Sequence, residues 1–178
     1  MRISRRLFVV LLANNDHGKS TLMNALVAQA LGTASPGRKG ARTLISPWGR
    51  EIDSYIFVRS YQEKEKKAHG SVLKALDAND SSWRKRELII LPSHRSQSGA
   101  DLNKMIEATH VGGYDAVCAT LFIEGTDQRN RFATAWSKNW DERWITVAGP
   151  RLAPRRAASR TGPDRVWLRN DWRSLAPP

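Results

Sequence analysis

One stretch near the N-terminus decides the fold of this chain of 178 residues: Leu7-Phe8-Val9-Val10-Leu11-Leu12-Ala13-Asn14-Asn15-Asp16-His17-Gly18-Lys19-Ser20. Its first six residues form a continuous apolar run, which is typical of a strand buried on both faces of a parallel sheet. Residues 21–31 follow with strong helix formers and apolar residues at helical spacing, and they end at Gly32, a residue that commonly stops helices. The pattern predicts a strand over 7–12, a loop over 13–20 and a helix over 21–31.

The octapeptide 13–20 fits the pattern of a phosphate-binding loop. That pattern is Gly or Ala, four variable residues, Gly, Lys and then Ser or Thr, and every required position is met. Successive backbone N–H groups of such a loop surround phosphate oxygens, and the next helix adds the positive end of its dipole. The predicted nucleotide-binding residues are Ala13, Asn14, Asn15, Asp16, His17, Gly18, Lys19, Ser20 and Thr21.

Two side chains of this loop have predicted roles of their own. Lys19 is expected to reach the β- and γ-phosphate oxygens and to act in catalysis by neutralising their charge, while the Ser20 hydroxyl coordinates Mg²⁺. The same octapeptide pattern also arises by chance, so a fortuitous turn is the alternative interpretation. The strand before the loop and the helix after it favour the functional interpretation.

The rest of the chain alternates between strand and helix patterns. Further strands are predicted over 43–46, 52–58, 87–91, 116–123 and 144–148, the first two forming a hairpin. An exposed helix over 62–76, weakened by Gly70, and helices over 100–109 and about 128–140 are predicted between them. Pro92 is expected to end the strand at 91. Together these patterns predict an α/β fold with three layers, α/β/α, and a mostly parallel central sheet of about five strands.

The charge of the chain is strongly positive. The formal net charge is +12 at pH 7 and the pI is near 10.5, so polyanions such as nucleic acid or nucleotides are attracted. Part of the excess lies in residues 149–178, a tail rich in Arg and Pro that follows a predicted nucleotide-binding domain over 1–148. This tail either contacts nucleic acid phosphates or is only a solvated arm.

Cysteine content and hydropathy bear on the compartment. A single cysteine, Cys118, forms no disulfide within the chain, which favours a reducing setting. The apolar run 7–13 is short for a signal peptide and lacks a cleavage site, and no segment approaches the roughly 20 apolar residues that a bilayer span requires. We expect a soluble, cytoplasmic protein without a membrane span.

In its loop and in the order of its strands and helices, the chain resembles the P-loop NTPase superfamily, and most of all the small P-loop kinases, including the zeta-toxin-like group. The resemblance is carried by the octapeptide, by strand 87–91 with Ser93-His94-Arg95 after it, and by the step through Gly113-Tyr114 into strand 116–123. It implies that the chain binds ATP, or another nucleoside triphosphate, with Mg²⁺. It also implies phosphoryl transfer to an acceptor, which the sequence does not identify, or hydrolysis.

The resemblance implies further catalytic residues. In such kinases the segment after strand 116–123 carries arginines that close over the phosphates, and Arg129 and Arg131 hold the matching place; a solvated helix face is the alternative. A carboxylate that handles the acceptor hydroxyl usually follows the second strand. Asp53 is the candidate for this carboxylate, and a capped hairpin turn is its alternative interpretation.

One departure from the family concerns the metal. A strand ending in Asp is expected near residue 91, but Pro92-Ser93-His94 stands there. Ser93 is one candidate to hold a water of the Mg²⁺ shell, with Asp53 or Glu124 as alternatives.

The base preference and the function class stay partly open. Guanine recognition generally uses Asn-Lys-x-Asp after a late strand, and Glu124-Gly125-Thr126-Asp127 lacks the Asn and the Lys, which favours ATP over GTP. A small Mg²⁺-dependent phosphotransferase or NTPase is the leading hypothesis. The alternatives are a nucleic-acid-associated NTPase of a phage or mobile element, and a module that binds nucleotide without hydrolysing it.

Overall fold

The computed structural model of the chain describes residues 5–14, 18–31, 38–94, 99–123 and 138–148. These ranges contain six strands: β1 (Leu7–Ala13), β2 (Gly40–Ile45), β3 (Glu51–Ile56), β4 (Leu88–His94), β5 (Asp115–Ile123) and β6 (Glu142–Ala148). They also contain four α-helices: α1 (Lys19–Leu31), α2 (Glu65–His69), α3 (Val72–Asn79) and α4 (Gly99–Val111). The α/β class that the sequence predicts is confirmed.

All six strands belong to one sheet, in the order β2-β3-β4-β1-β5-β6. The pairs β1–β4, β1–β5, β3–β4 and β5–β6 are parallel, and the β2–β3 hairpin is antiparallel. The mostly parallel sheet and the hairpin are confirmed. The sheet has six strands, where about five were predicted.

The central strand β1 is buried on both faces, as its continuous apolar run predicts. On one face Phe8 and Leu12 belong to a hydrophobic cluster that includes residues of α3 and α4. On the other face Val9 and Leu11 belong to a second cluster, which includes Met23 of α1. Each such side chain stabilises the fold by about 1.5–3 kcal/mol through burial, so both clusters hold β1 in place.

Residues 62–76 do not form the single exposed helix that their composition predicts. The chain makes α2 and α3 instead, separated at Gly70, whose φ of 75° lies in the left-handed region. Leu76 is 1% exposed and Glu65 only 2% exposed. Lys39 and Asn79 donate to the Glu65 carboxylate at 2.6 and 2.7 Å, and these partners allow an acidic residue to be buried there.

The prediction that Pro92 ends its strand is wrong, because β4 continues to His94. Tyr61 N–H donates to the Pro92 carbonyl at 2.9 Å, so this carbonyl and the proline nitrogen both face the β3 side of the strand. β3 ends at Ile56, which pairs with Ile90, so no strand stands opposite Pro92 on that side. The absent N–H therefore removes no hydrogen bond of the ladder.

Other predicted elements are confirmed with shifted ends or lie outside the described ranges. The helix predicted over 100–109 spans 99–111, and the strand predicted over 144–148 begins at 142. The helix predicted over about 128–140 lies mostly outside the described residues, and residues 138–140 are not helical. The tail 149–178 also lies outside them. No helix in the described part of the chain has the length and apolar character that crossing a bilayer requires.

Candidate functional site

The carboxyl end of β1 lies where the chain changes direction across the sheet. After β1 the chain builds β3 and β4 on one side of it, and it then crosses to β5 on the other side. In open α/β sheets, ligands bind in the crevice outside the carboxyl ends of strands at such a switch point. The octapeptide begins at this place, because Ala13 is the last residue of β1.

The octapeptide leads from β1 to the start of α1. Gly18 has a φ of 78°, a conformation that favours glycine, and a Cβ at this position would meet no atom within 4 Å. Leu22 N–H donates to the Gly18 carbonyl at 2.9 Å, which is the first hydrogen bond of the helix. The N–H groups before it have no intrahelical acceptor, and the first turn of α1 contains no acidic residue. Among the described residues, the space beside Gly18, the helix N–H groups and the helix dipole together suit an anion.

Lys19 bends back over the carboxyl end of β1. Its side-chain ammonium donates to the carbonyls of Ala13 and Asn14 at 2.8 and 2.7 Å, and the residue is 6% exposed. Ser20 and Thr21, in contrast, are exposed on the first turn of α1. Phosphate oxygens are charged and form stronger hydrogen bonds with an ammonium group than amide carbonyls do. The bend therefore holds a cation at a position where a phosphate group would form favourable hydrogen bonds.

The exposed Ser20 hydroxyl fits the role of a magnesium ligand. Mg²⁺ in nucleotide sites usually takes one or two protein oxygens, with phosphate oxygens and water completing six positions. Within the described ranges, no group of three or more His, Cys, Asp or Glu side chains is placed to hold a metal by itself. As a single protein ligand, Ser20 would need a bound phosphate beside it to hold Mg²⁺.

Asp53, the predicted catalytic carboxylate, lies at the wrong edge of the sheet. The next residue, Ser54, pairs in register with Leu88 of β4, and Leu88 pairs with Leu7 at the start of β1. Ala13 is six residues further along β1, which places Asp53 about 20 Å from the loop at ~3.3 Å per residue. Parallel strands put their starting residues at one common edge, so Asp53 is not positioned to act on a group bound at the octapeptide.

The carboxylate of Asp53 instead takes part in an ion-pair cluster. Arg86 donates to Asp53 at 2.7 Å and to Asp80 at 2.8 Å. Burial by itself would raise the pKa of Asp80, but hydrogen bonds from Arg86 and from Ser82 N–H outweigh burial and lower it. The hydrogen bond to Asp80, followed by that to Asp53, raises the pKa of Arg86 against the opposing effect of its burial. Asp53 is therefore part of a structural bridge between β3 and the turn after α3.

The structure does not support Ser93 as a holder of magnesium-bound water. Ser93 is 0% exposed, and its hydroxyl accepts a hydrogen bond from the Gln62 side-chain amide at 2.9 Å. The backbone N–H of His94 donates to the Gln62 side-chain oxygen at 3.1 Å. Ser93 and Gln62 thus fasten the segment after β3 to the end of β4.

This fastening brings an acidic residue to the carboxyl edge that the sequence did not reveal. His94 pairs in register with Ala13, and its Nε2 lies 2.8 Å from a Glu63 carboxylate oxygen. His94 is 9% exposed, and its buried Nδ1 has no hydrogen-bond partner in the part of the chain that the structure describes. The Glu63 side chain is 43% exposed. No sequence motif joins these two residues, and the interpretation of Pro92 as a strand end hid the position of His94.

Several predicted site residues lie outside the described ranges. These are the loop residues Asn15, Asp16 and His17 and the predicted phosphate-contacting arginines Arg129 and Arg131. Their roles stay predictions, as does the role of Glu124.

An open groove of about 460 Å³ occurs elsewhere, along α4. Asn103, Ile106, His110 and Asn139 are among the residues that line it, and none of the described residues of the octapeptide does.

Comparison with known proteins finds no matching family model, no matching curated protein and no matching solved structure.

Proposed function

We propose that this protein binds ATP, or another nucleoside triphosphate, at the octapeptide 13–20 and acts as a small Mg²⁺-dependent phosphotransferase or NTPase. The observation that carries the proposal is the strand-to-helix bend at the centre of the sheet, with the Lys19 ammonium folded over the carboxyl end of β1. Apolar clusters on both faces of β1, one with α1 and one with α3 and α4, also support a three-layer α/β/α P-loop fold.

In this proposal each part of the bend has one task. The backbone N–H groups at the start of α1 bind phosphate oxygens, and Gly18 allows the backbone to approach them closely. Lys19 exchanges carbonyl oxygens for phosphate oxygens and offsets the charge that develops during transfer. Ser20 holds Mg²⁺, which supplies charge neutralisation when bound.

The direct test is nucleotide affinity in Lys19→Ala, measured by equilibrium dialysis with labelled ATP and Mg²⁺. We expect affinity to fall by about 100-fold, which corresponds to losing roughly 2.7 kcal/mol of charge-assisted hydrogen bonding. Lys74→Ala, at an exposed lysine of α3, is the control and should bind like the unmodified protein. If Lys19→Ala keeps full affinity while remaining folded by circular dichroism, the proposal fails.

Following the γ-phosphoryl group separates the open alternatives. Label released to water indicates an NTPase, label on a small molecule indicates a phosphotransferase, and bound but unconverted nucleotide indicates a module without turnover. For a nucleic-acid-associated NTPase, turnover should rise when DNA or RNA is added, and binding should weaken steeply with salt. The basic tail that motivates this last alternative lies outside the described residues.

A further inference from the structure

A histidine–carboxylate pair stands next to the octapeptide at the carboxyl edge of the sheet. His94 ends β4 and lies beside Ala13, where β1 passes into the loop. Residues two apart in a strand share a face, so His94 lies on the same face of β4 as Ile90. Ile90 belongs to the apolar cluster that contains Met23 and Val27 of α1. The imidazole is therefore on the side of the sheet that α1 covers, and α1 also carries Lys19.

Hydrogen bonds between the residues next to Glu63 and the end of β4 hold the pair in place. Tyr61 N–H donates to the Pro92 carbonyl, and the Gln62 side chain bonds both Ser93 and His94 N–H. These bonds fix the segment that carries Glu63 against the end of β4. The 2.8 Å contact of His94 Nε2 with Glu63 follows from this fastening.

The contact decides which imidazole nitrogen carries the proton. A carboxylate accepts hydrogen bonds, so Nε2 of His94 must donate to Glu63. In the neutral ring Nδ1 then presents a lone pair, and in the described part of the chain this buried atom has no donor opposite it. A buried acceptor without a donor costs about 1–3 kcal/mol, which is a reason for a hydroxyl group to bind there.

We propose that His94 is the general base of the phosphoryl transfer and that Glu63 is its positioning residue; this inference rests on the proposed function. As the acceptor oxygen forms its bond to the γ-phosphorus, its proton passes to His94 Nδ1. The bond from the γ-phosphorus to the bridging oxygen breaks, and its electron pair leaves with the nucleoside diphosphate. Glu63 stabilises the imidazolium, and the proton is then released to solvent.

The structure also offers a matched pair for comparison. His110 Nε2 lies 2.9 Å from an Asp141 carboxylate oxygen, but these side chains are 46% and 39% exposed. Asp141 precedes β6 and accepts from Ala116 N–H near the start of β5, so this pair lies at the opposite edge of the sheet. It has the same chemistry without a neighbouring phosphate loop.

The test is single-turnover transfer of the γ-phosphoryl group in His94→Gln, Glu63→Gln and His110→Gln, beside labelled-ATP affinity. We expect His94→Gln to lower the rate at saturating ATP by about 100-fold or more, and Glu63→Gln by about 10-fold, with ATP affinity changed less than about threefold. His110→Gln should keep both values. In His94→Gly, added imidazole should restore part of the rate, which a purely structural role of His94 would not produce.

Each result has one meaning for the proposal. Unchanged turnover in His94→Gln, or a wild type that binds ATP without turnover, overturns the base assignment and leaves nucleotide binding intact. A rate loss in His94→Gly that imidazole does not restore also overturns it. If His94→Gln fails to fold, Glu63→Gln decides, because the Glu63 side chain is 43% exposed and its substitution disturbs the fold less: an unchanged rate there removes the pair from catalysis. A wild type that binds no nucleotide refutes the proposed function itself.

Discussion

The two edges of the central sheet use charged residues in different ways. At the amino edge, ion pairs join neighbouring elements: Arg5 with Asp115 and Glu142, Arg50 with Glu87, Arg86 with Asp53 and Asp80, and His110 with Asp141. Ion pairs also occur at the carboxyl edge, between Lys39 and Glu65 and between Lys66 and Asp101. Lys19 and His94, which are 6% and 9% exposed there, make other contacts. Lys19 donates to the carbonyls of Ala13 and Asn14, and His94 contacts Glu63 through Nε2, while its Nδ1 has no hydrogen-bond partner among the described residues.

We expect this difference to separate charges that stabilise the fold from charges that act on a ligand. Arginine and carboxylate groups at the amino edge satisfy each other, so their removal should lower stability and leave binding unchanged. Lys19 and His94 at the carboxyl edge are instead expected to act on a ligand, so their removal should change binding and turnover. The Lys19 and His94 variants test the second half of this comparison, and three further predictions test the first half.

The largest effect is expected at Arg86. Arg86→Met removes the guanidinium from Asp53 and from Asp80, whose side chain is only 10% exposed. A carboxylate left buried without its cation should cost about 2–3 kcal/mol in the free energy of unfolding, measured by urea denaturation. ATP affinity should be unchanged.

The control for this prediction is Arg84→Met. The Arg84–Asp77 pair is about half exposed on both sides, so its loss should cost less than about 1 kcal/mol. Equal destabilisation of the two variants would show that the burial of Asp80 does not matter.

A smaller effect is expected for Asp53→Asn. The Asp53 side chain is 49% exposed and Arg86 keeps Asp80 as a partner, so we expect a loss of about 0.5 kcal/mol. The rate of phosphoryl transfer should not change. A tenfold slower rate in this variant would contradict the separation of the two edges and restore Asp53 as a catalytic residue.

The smallest effect is a pH dependence. Hydrogen bonds from Arg86 and Ser82 outweigh burial and lower the pKa of Asp80 below its ordinary 3.8. A lowered folded-state pKa contributes stability above the unfolded value that is lost as pH falls through the folded value. The unfolding free energies of the unmodified protein and Arg86→Met should therefore approach each other as the pH falls from neutral through 3.8 and below it. A constant difference over this window would show that Asp80 is not the partner that matters.

The fold could be predicted from the sequence where local pattern decides it. The apolar run 7–12 indicated a strand buried on both faces, and the helix after the octapeptide followed from its composition. The hairpin and the parallel order followed from the alternation of strands and helices. The prediction of a single exposed helix over 62–76 was wrong. Composition does not show that Glu65 is buried with Lys39 and Asn79 as its hydrogen-bond donors. The prediction that Pro92 ends its strand was wrong, because a missing N–H removes a sheet hydrogen bond only where a partner strand lies opposite.

What the sequence determined by itself is the strand, the octapeptide and the presence of a helix after it, since all three lie in one contiguous stretch and need only local backbone geometry; the helix begins at Lys19, two residues before the predicted start. Which other residues stand beside that stretch was decided by the tertiary structure. Parallel strands gather their carboxyl ends at one edge and their amino ends at the other, so register along β3 and β4 separates Asp53 from the loop and brings Glu63 and His94 to it. The separation of residues in the sequence does not show which of them meet at one edge, because the edges form only when the strands pair.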